Sequence, residues 1–290
     1  MPSSPAPRGA VLALLATIGL WAYSWVVMKQ VLAYAGPFDF AALRYLLGAA
    51  VLFAAMLLAR QSPPLVPTIL IGLCQTAAFQ GLEQWALVSG GAGHVALLAY
   101  TMPFWAVLLA WLILHERPAE RHWLGLALAG IGLVCIIEPW RGLGNATSTA
   151  LAIAGGMAWA GGTVLSKRLF RRHAVSALNL TAWQMLAGGV ALGLVALAVP
   201  QRSIAWSGAF VAGLAYSVLM ASSLAWWLWS IVLRRLPTTV ASVGSLGVPI
   251  AGVLLAWAIL DEVPRPMEWL GIAFVLLGLC AVSGVRLRRR

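Results

Sequence analysis

The sequence predicts an all-α membrane protein of ten transmembrane helices, arranged as two inverted five-helix repeats around a central cavity. Three observations carry that expectation. Hydrophobic residues make up 62% of the 290-residue chain and charged ones only 9%, with a mean hydropathy of +0.91, a balance that suits lipid rather than water. The apolar runs are each about 20 residues long, enough to cross a hydrocarbon core of about 30 Å. The third observation is internal repetition. VLLAW occurs at Val107 to Trp111 and again at Val253 to Trp257, and the same offset of 146 residues lays Pro103 on Pro249, Glu116 on Glu262, and Trp123 to Gly125 on Trp269 to Gly271. A second register, offset by 138, lays Trp21 on Trp159 and Lys29 on Lys167.

Taken in chain order, the expected spans are 9–29, 39–59, 65–87, 92–114 and 122–139 in a first unit (residues 1–145), and 148–167, 177–199, 207–233, 238–260 and 267–285 in a second (146–290). The first follows a short polar arm and is read as a retained helix: Trp21, Tyr23 and Trp25 interrupt its apolar run, and no small-residue cleavage pattern follows. Short connections rich in Pro, Gly and Arg leave no room for a soluble domain. Because backbone groups must be satisfied inside lipid, runs of this length imply a helical bundle.

Basic residues orient the bundle. Of nineteen Lys and Arg, all but Lys29, Arg44, Arg141, Arg202 and Arg265 fall on the side that carries both chain ends, which places both termini in the cytoplasm. The net charge of +11 then reflects topology and anionic headgroups; nucleic acid is a poor partner for basic residues scattered over separate short loops. Five spans per unit is an odd number. The second unit therefore starts from the opposite face, the two units are related by an axis in the membrane plane, and such pairs suit alternating access.

The pattern P-x(3)-VLLAW-x-IL-x-E followed by WLG-x(6)-G, at Pro103 to Gly132 and again at Pro249 to Gly278, resembles the EamA-type branch of the drug/metabolite transporter superfamily. The resemblance covers nearly the whole chain. It implies inverted five-helix repeats, a central cavity, and export of amino acids or other small metabolites across a bacterial inner membrane, with aromatic amino acid exporters the first group to name. An exporter of drugs or organic cations is the alternative, and an intramembrane enzyme a remote one.

Polar and aromatic groups inside the spans are the candidate substrate-binding residues, since ionisable groups in lipid usually face a cavity or a partner helix. Glu83 shares a strip with Thr76, Gln80 and Leu87; it can bind a proton or a substrate ammonium, or be a solvated carboxylate near the outer interface. His94 begins a stripe continued by Leu98, Thr101 and Trp105, with Tyr100 beside it; it is a second proton-coupling candidate or an interfacial histidine. Pro103 and Pro249 break equivalent helices, and carbonyls near Thr101, Ala99 or Ser245 can line the cavity or mark plain kinks.

Trp21 and Trp159 occupy matching places, as do Trp25 and Thr163, and can stack a substrate or merely pack. The eighth span offers Tyr216, Met220, Ser223 and Trp227 on one face; its clustered tryptophans read as an interfacial belt. Arg44 is read as structural, pairing with Asp39 or snorkelling outward. Glu116 and Glu262 read as helix-end pairing groups.

Cys74, Cys135 and Cys280 are scattered, supporting neither a disulfide frame nor a metal site. There is no P-loop and no cofactor motif; the GLG at Gly142 to Gly144 follows a membrane span rather than a strand. No nucleophile, base and orienting acid converge, so no catalytic residues are assigned.

Overall fold

The computed structural model describes residues 8–61, 67–89, 95, 98–141, 145–260 and 263–283. Among them every regular element is helical. In order these are α1 (Arg8–Val31), α2 (Pro37–Leu58), α3 (Pro67–Ile71) and α4 (Phe79–Ser89) joined by a π-helical segment Gly72–Ala78, α5 (Met102–Leu114), α6 (Glu120–Ile137), α7 (Ala146–Arg172), α8 (Ala177–Ala198), α9 (Gly208–Tyr216) and α10 (Ala225–Arg235) joined by a second π segment Ser217–Leu224, α11 (Thr238–Gly244), α12 (Gly247–Leu260) and α13 (Pro266–Ser283).

Among the described residues six helices are long and apolar enough to cross a membrane: Arg8–Met28, Pro37–Leu58, Ala146–Arg172, Ala177–Ala198, Gly208–Arg235 and Thr238–Ile259. Met102–Leu114 and Pro266–Val282 are apolar but shorter. The composite helix α3–π–α4 carries Gln75, Gln80, Glu83 and Gln84, all buried, so its polarity is turned inward rather than toward lipid.

Local chemistry sets the ends. Proline, with no N–H to lose, opens α2 and begins α3 and α13. Side-chain oxygens of Asn145, Ser176 and Ser207 accept from the backbone N–H of Thr147, Asn179 and Phe210 at the starts of α7, α8 and α9. Just before the repeated prolines the helices tighten: Thr101 N donates to Leu98 O at 3.1 Å and Leu246 N to Val243 O at 3.1 Å. The carbonyls of Thr101 and Ser245 are taken by Phe104 N and Val248 N, so neither of these two is left free to line a cavity.

Packing is set by small residues. A Cβ on Gly132 would lie 2.6 Å from the Gly271 carbonyl and one on Gly125 2.8 Å from the Gly278 carbonyl, so α6 and α13 run antiparallel in backbone contact. A Cβ on Gly188 of α8 would meet Thr76 at 2.4 Å and the Gly72 carbonyl at 3.1 Å; one on Gly48 of α2 would meet Ser222 at 3.3 Å and the Val218 carbonyl at 3.9 Å. Both π segments thus lie against a glycine of a neighbouring helix. The bundle also pairs α2 with α8, α4 with α7, α1 with α10, α5 with α7 and α1 with α12.

Candidate functional site

A cavity opens between α1, α2, α4, α7, α10 and the kinked segments near Tyr100 and Val248. It leaves about 70 Å³ for the centres of water molecules, room for a few waters. Its walls are aromatic: Trp21, Tyr45, Phe79, Tyr100, Trp159 and Trp226. Its polar groups are Ser24, Arg44, Gln80 and Glu83, with Met28, Ala99, Met102 and Val248 completing the lining.

Glu83 is 6% exposed. Its Oε2 accepts from Gln80 Nε2 at 3.4 Å, and its buried Oε1 has no hydrogen-bond partner. Arg44, 5% exposed, donates from Nε to Ser222 Oγ at 3.1 Å and from Nη1 to Met28 Sδ at 3.7 Å. Its guanidinium lies 4.9 Å from the ring centre of Tyr45 and 5.9 Å from that of Phe40, distances at which an aromatic face attracts a cation. The arginine pairs neither with Asp39 nor with any other carboxylate of the described residues. It faces inward rather than snorkelling outward, because Ser222 and the two rings hold its head group inside the bundle.

Below the cavity, along α10 toward its C-terminal end, the tryptophans interlock. Trp21 stands edge-on to Trp226 at 5.3 Å between ring centres, and Trp229 lies 5.7 Å from Trp21 and 5.2 Å from Trp159. Trp226 and Trp229 are buried. They are therefore packing and lining groups of the bundle, not the interfacial belt the sequence suggested; only Trp227 of this cluster reaches the outside.

Further along the same direction sits a polar clasp. Lys167 Nζ donates to the Leu233 carbonyl at 2.7 Å and to the Leu236 carbonyl. Arg171 binds the Leu114 carbonyl and the carboxylate of Glu116, whose other oxygen accepts from Thr238 N at 3.2 Å. A carboxylate at the start of α11 and an ammonium at the end of α10 both oppose helix-end partial charges. Glu116 is thus the helix-end group expected, with Arg171 as its partner.

Of the residues singled out from sequence, the structure brings Trp21, Gln80, Glu83, Tyr100 and Trp159 together around the cavity. Ala99 lines it too; the other described candidates lie off it, each occupied elsewhere. Thr101 Oγ1 donates to the Leu98 carbonyl and accepts from Trp105 Nε1; Thr163 accepts from Gln75 Nε2 at 2.9 Å; Tyr216 donates to the Leu20 carbonyl at 2.9 Å. Ser223 donates to the Gly48 and Val218 carbonyls, and Ser245 to that of Ser242. His94 lies outside the described residues. Arg44, Tyr45 and Trp226 were missed; an arginine inside an apolar span was the one signal available.

The EamA-like transporter family model matches the chain twice, over residues 7–138 and 147–284. The chain belongs to the EamA-like transporter family. Among its relatives are a probable amino-acid metabolite efflux pump of Salmonella typhimurium, 30% identical over 97% of each chain, and an uncharacterized transporter of Synechocystis, 30% identical over 94% of this chain and 89% of the relative. A solved crystal structure superposes with a TM-score of 0.83 over 94% of this chain and 95% of its own, at 22% identity, a likeness of fold. This EamA-like protein is thus a multi-pass membrane transporter.

Proposed function

We propose that the protein is a secondary carrier that exports amino acids, aromatic ones among them, across a bacterial inner membrane by alternating access, with both termini in the cytoplasm and no enzymatic step. The carrying observation is the cavity at the junction of the two halves, with Trp21, Arg44, Glu83 and Tyr100 from the first and Trp159, Trp226 and Val248 from the second. A site shared between halves is exposed to one face or the other as the halves rock.

The reading of residues 1–145 and 146–290 as inverted five-helix repeats draws support from paired contacts. Gly125 meets Gly278 and Gly132 meets Gly271; exchanging the repeated motifs converts one contact into the other. Arg44 donates to Ser222 and Gln184 to Thr76 at 3.3 Å, again one contact in two copies. Each half also carries a π segment at the corresponding place. Helices α1 and α12 on one side repeat the pairing of α7 and α5 on the other.

The printed name of the Salmonella relative supports amino acids as cargo, and aromatic walls around a carboxylate and a guanidinium suit a molecule with an apolar side chain and a charged head. The cavity in this conformation is well below the roughly 300 Å³ of a typical ligand pocket, so loading requires it to widen. Glu83 is the proton-coupling candidate that lines it; His94 stays a candidate on sequence alone. The test is counterflow in proteoliposomes with labelled tryptophan, phenylalanine, threonine and a nucleoside. Accumulation of at least one amino acid is expected; movement of the nucleoside alone would discard the assignment of cargo.

A further inference from the structure

Two opposite charges face one cavity without meeting. Glu83 comes from α4 and Arg44 from α2, and both line the space beside Tyr45 and Trp226. No ion pair joins them. Each is held back by its own neighbours: the guanidinium by Ser222, Met28 and two aromatic faces, the carboxylate by Gln80.

Both are left with capacity to spare. A guanidinium has five N–H donors, and among the described residues only Nε and Nη1 of Arg44 are engaged. Glu83 has a wholly unpartnered Oε1 although the residue is more than nine-tenths buried. Leaving either charge unpaired in a low-dielectric bundle is costly, more so than leaving a neutral polar group. A direct salt bridge would remove that cost; the packing keeps the two apart.

We infer that Arg44 and Glu83 form a two-ended clamp for a zwitterion, the guanidinium taking the carboxylate and Glu83 taking the ammonium of an α-amino acid. This rests on the proposed transport of amino acids and adds the residues that would select them. An amine lacking a carboxylate leaves Arg44 unanswered, and a carboxylic acid lacking an amino group leaves Glu83 unanswered. Only a molecule with both charges satisfies both ends and leaves the loaded cavity as neutral as the empty one. Selection against single-charged analogues is strong where a site's buried polar groups are then left unpaired. Trp21, Trp159 and Trp226 remain to receive the side chain.

The test uses the full-length protein in phospholipid vesicles, with counterflow of whichever amino acid it carries. Inhibition is compared across L-tryptophan, tryptamine and indole-3-propionate, and across L-leucine, isoamylamine and 4-methylpentanoate. In the wild type the amino acid is expected to inhibit at concentrations at least about tenfold below either analogue. In Arg44→Gln the advantage over the amine disappears while that over the acid persists; Glu83→Gln does the reverse. Arg44→Lys and Glu83→Asp keep the charges and so keep both preferences.

Wild-type ratios near one, with amino acids still carried, overturn the clamp and leave the transport reading standing, and they do so even where a variant fails to fold. Variants that lose both preferences together, or neither, also overturn it. Failure of the wild type to carry any amino acid removes both readings.

Discussion

Trp21 lines the cavity and also donates from Nε1 to the Ala221 carbonyl at 3.1 Å, inside the second π segment, where the regular helical ladder is displaced. Trp21→Phe keeps a ring for stacking and removes that donor from a buried acceptor, costing about 1–3 kcal/mol. The expected readout is a lower unfolding temperature in detergent; an unchanged one would show that the carbonyl finds another donor. Glu83 supports a different prediction. If a proton moves with the cargo, Glu83→Gln holds that position neutral and abolishes the response of export to an imposed pH gradient, measured in vesicles with the same internal substrate. Retained pH response would clear Glu83 of coupling. Residue-level reading went furthest where burial of a charge is costly, which marked Glu83. It fell short at Arg44, because composition does not say whether a long side chain leaves the bundle or turns into it.

The π segments explain why helical stripes read from sequence came out only partly aligned. A π turn holds one more residue than an α turn, about 100° of rotation at 3.6 residues per turn. Thr76, grouped with Gln80 and Glu83 on one face, lies within the first π segment and accepts from Gln184 of α8 instead. The Tyr216–Ser223–Trp227 stripe crosses the second: Tyr216 reaches α1, Ser223 reaches α2, and Trp226 rather than Trp227 enters the cavity. Ser222, Ser223, Gln75 and Thr76 hint at polar contacts there, but nothing in their spacing encodes an inserted residue.

The glycine contacts were more legible, since Gly125, Gly132, Gly271 and Gly278 belong to the repeated motif, although sequence gave no indication that they face one another. Gly132→Leu forces a side chain into a backbone 2.6 Å away and is expected to separate α6 from α13, with loss of monodisperse protein on size exclusion. Gly161→Ala, with nothing within 4 Å of its Cβ, is expected to be neutral or stabilising by up to about 1 kcal/mol. Equal behaviour of the two variants would refute close packing as the role of the motif glycines.

At the scale of the molecule, the cavity is sealed in series on the side where α10 ends, first by the Trp21–Trp159–Trp229 layer and then by the Lys167–Glu116–Arg171 clasp, which ties α7 to the end of α5 and to the α10–α11 turn. In the orientation proposed here that side is cytoplasmic. A carrier that binds its cargo inside the cell must break this clasp to load, so the clasp contributes to the balance between its two exposures. The groups involved are charged, and the Arg171–Glu116 pair is partly exposed, so that pair alone contributes little, about 1 kcal/mol or less; Lys167, buried on two carbonyls, contributes more. Lys167→Met removes the ammonium while keeping a long apolar stem, leaving the carbonyls of Leu233 and Leu236 at the end of α10 without their donor. The expected result is a shift toward the form open to the cytoplasm. With Ser24→Cys as a reporter in the cavity and Cys74, Cys135 and Cys280 replaced by Ser, an impermeant thiol reagent applied to inside-out vesicles should label Lys167→Met faster than the parent, by about fivefold for each 1 kcal/mol shifted. Labelling from right-side-out vesicles should slow in step, because opening to one face depletes the form open to the other. Faster labelling from both faces would indicate a loosened bundle instead of a displaced equilibrium, and unchanged labelling would mean that the tryptophan layer alone keeps this face shut.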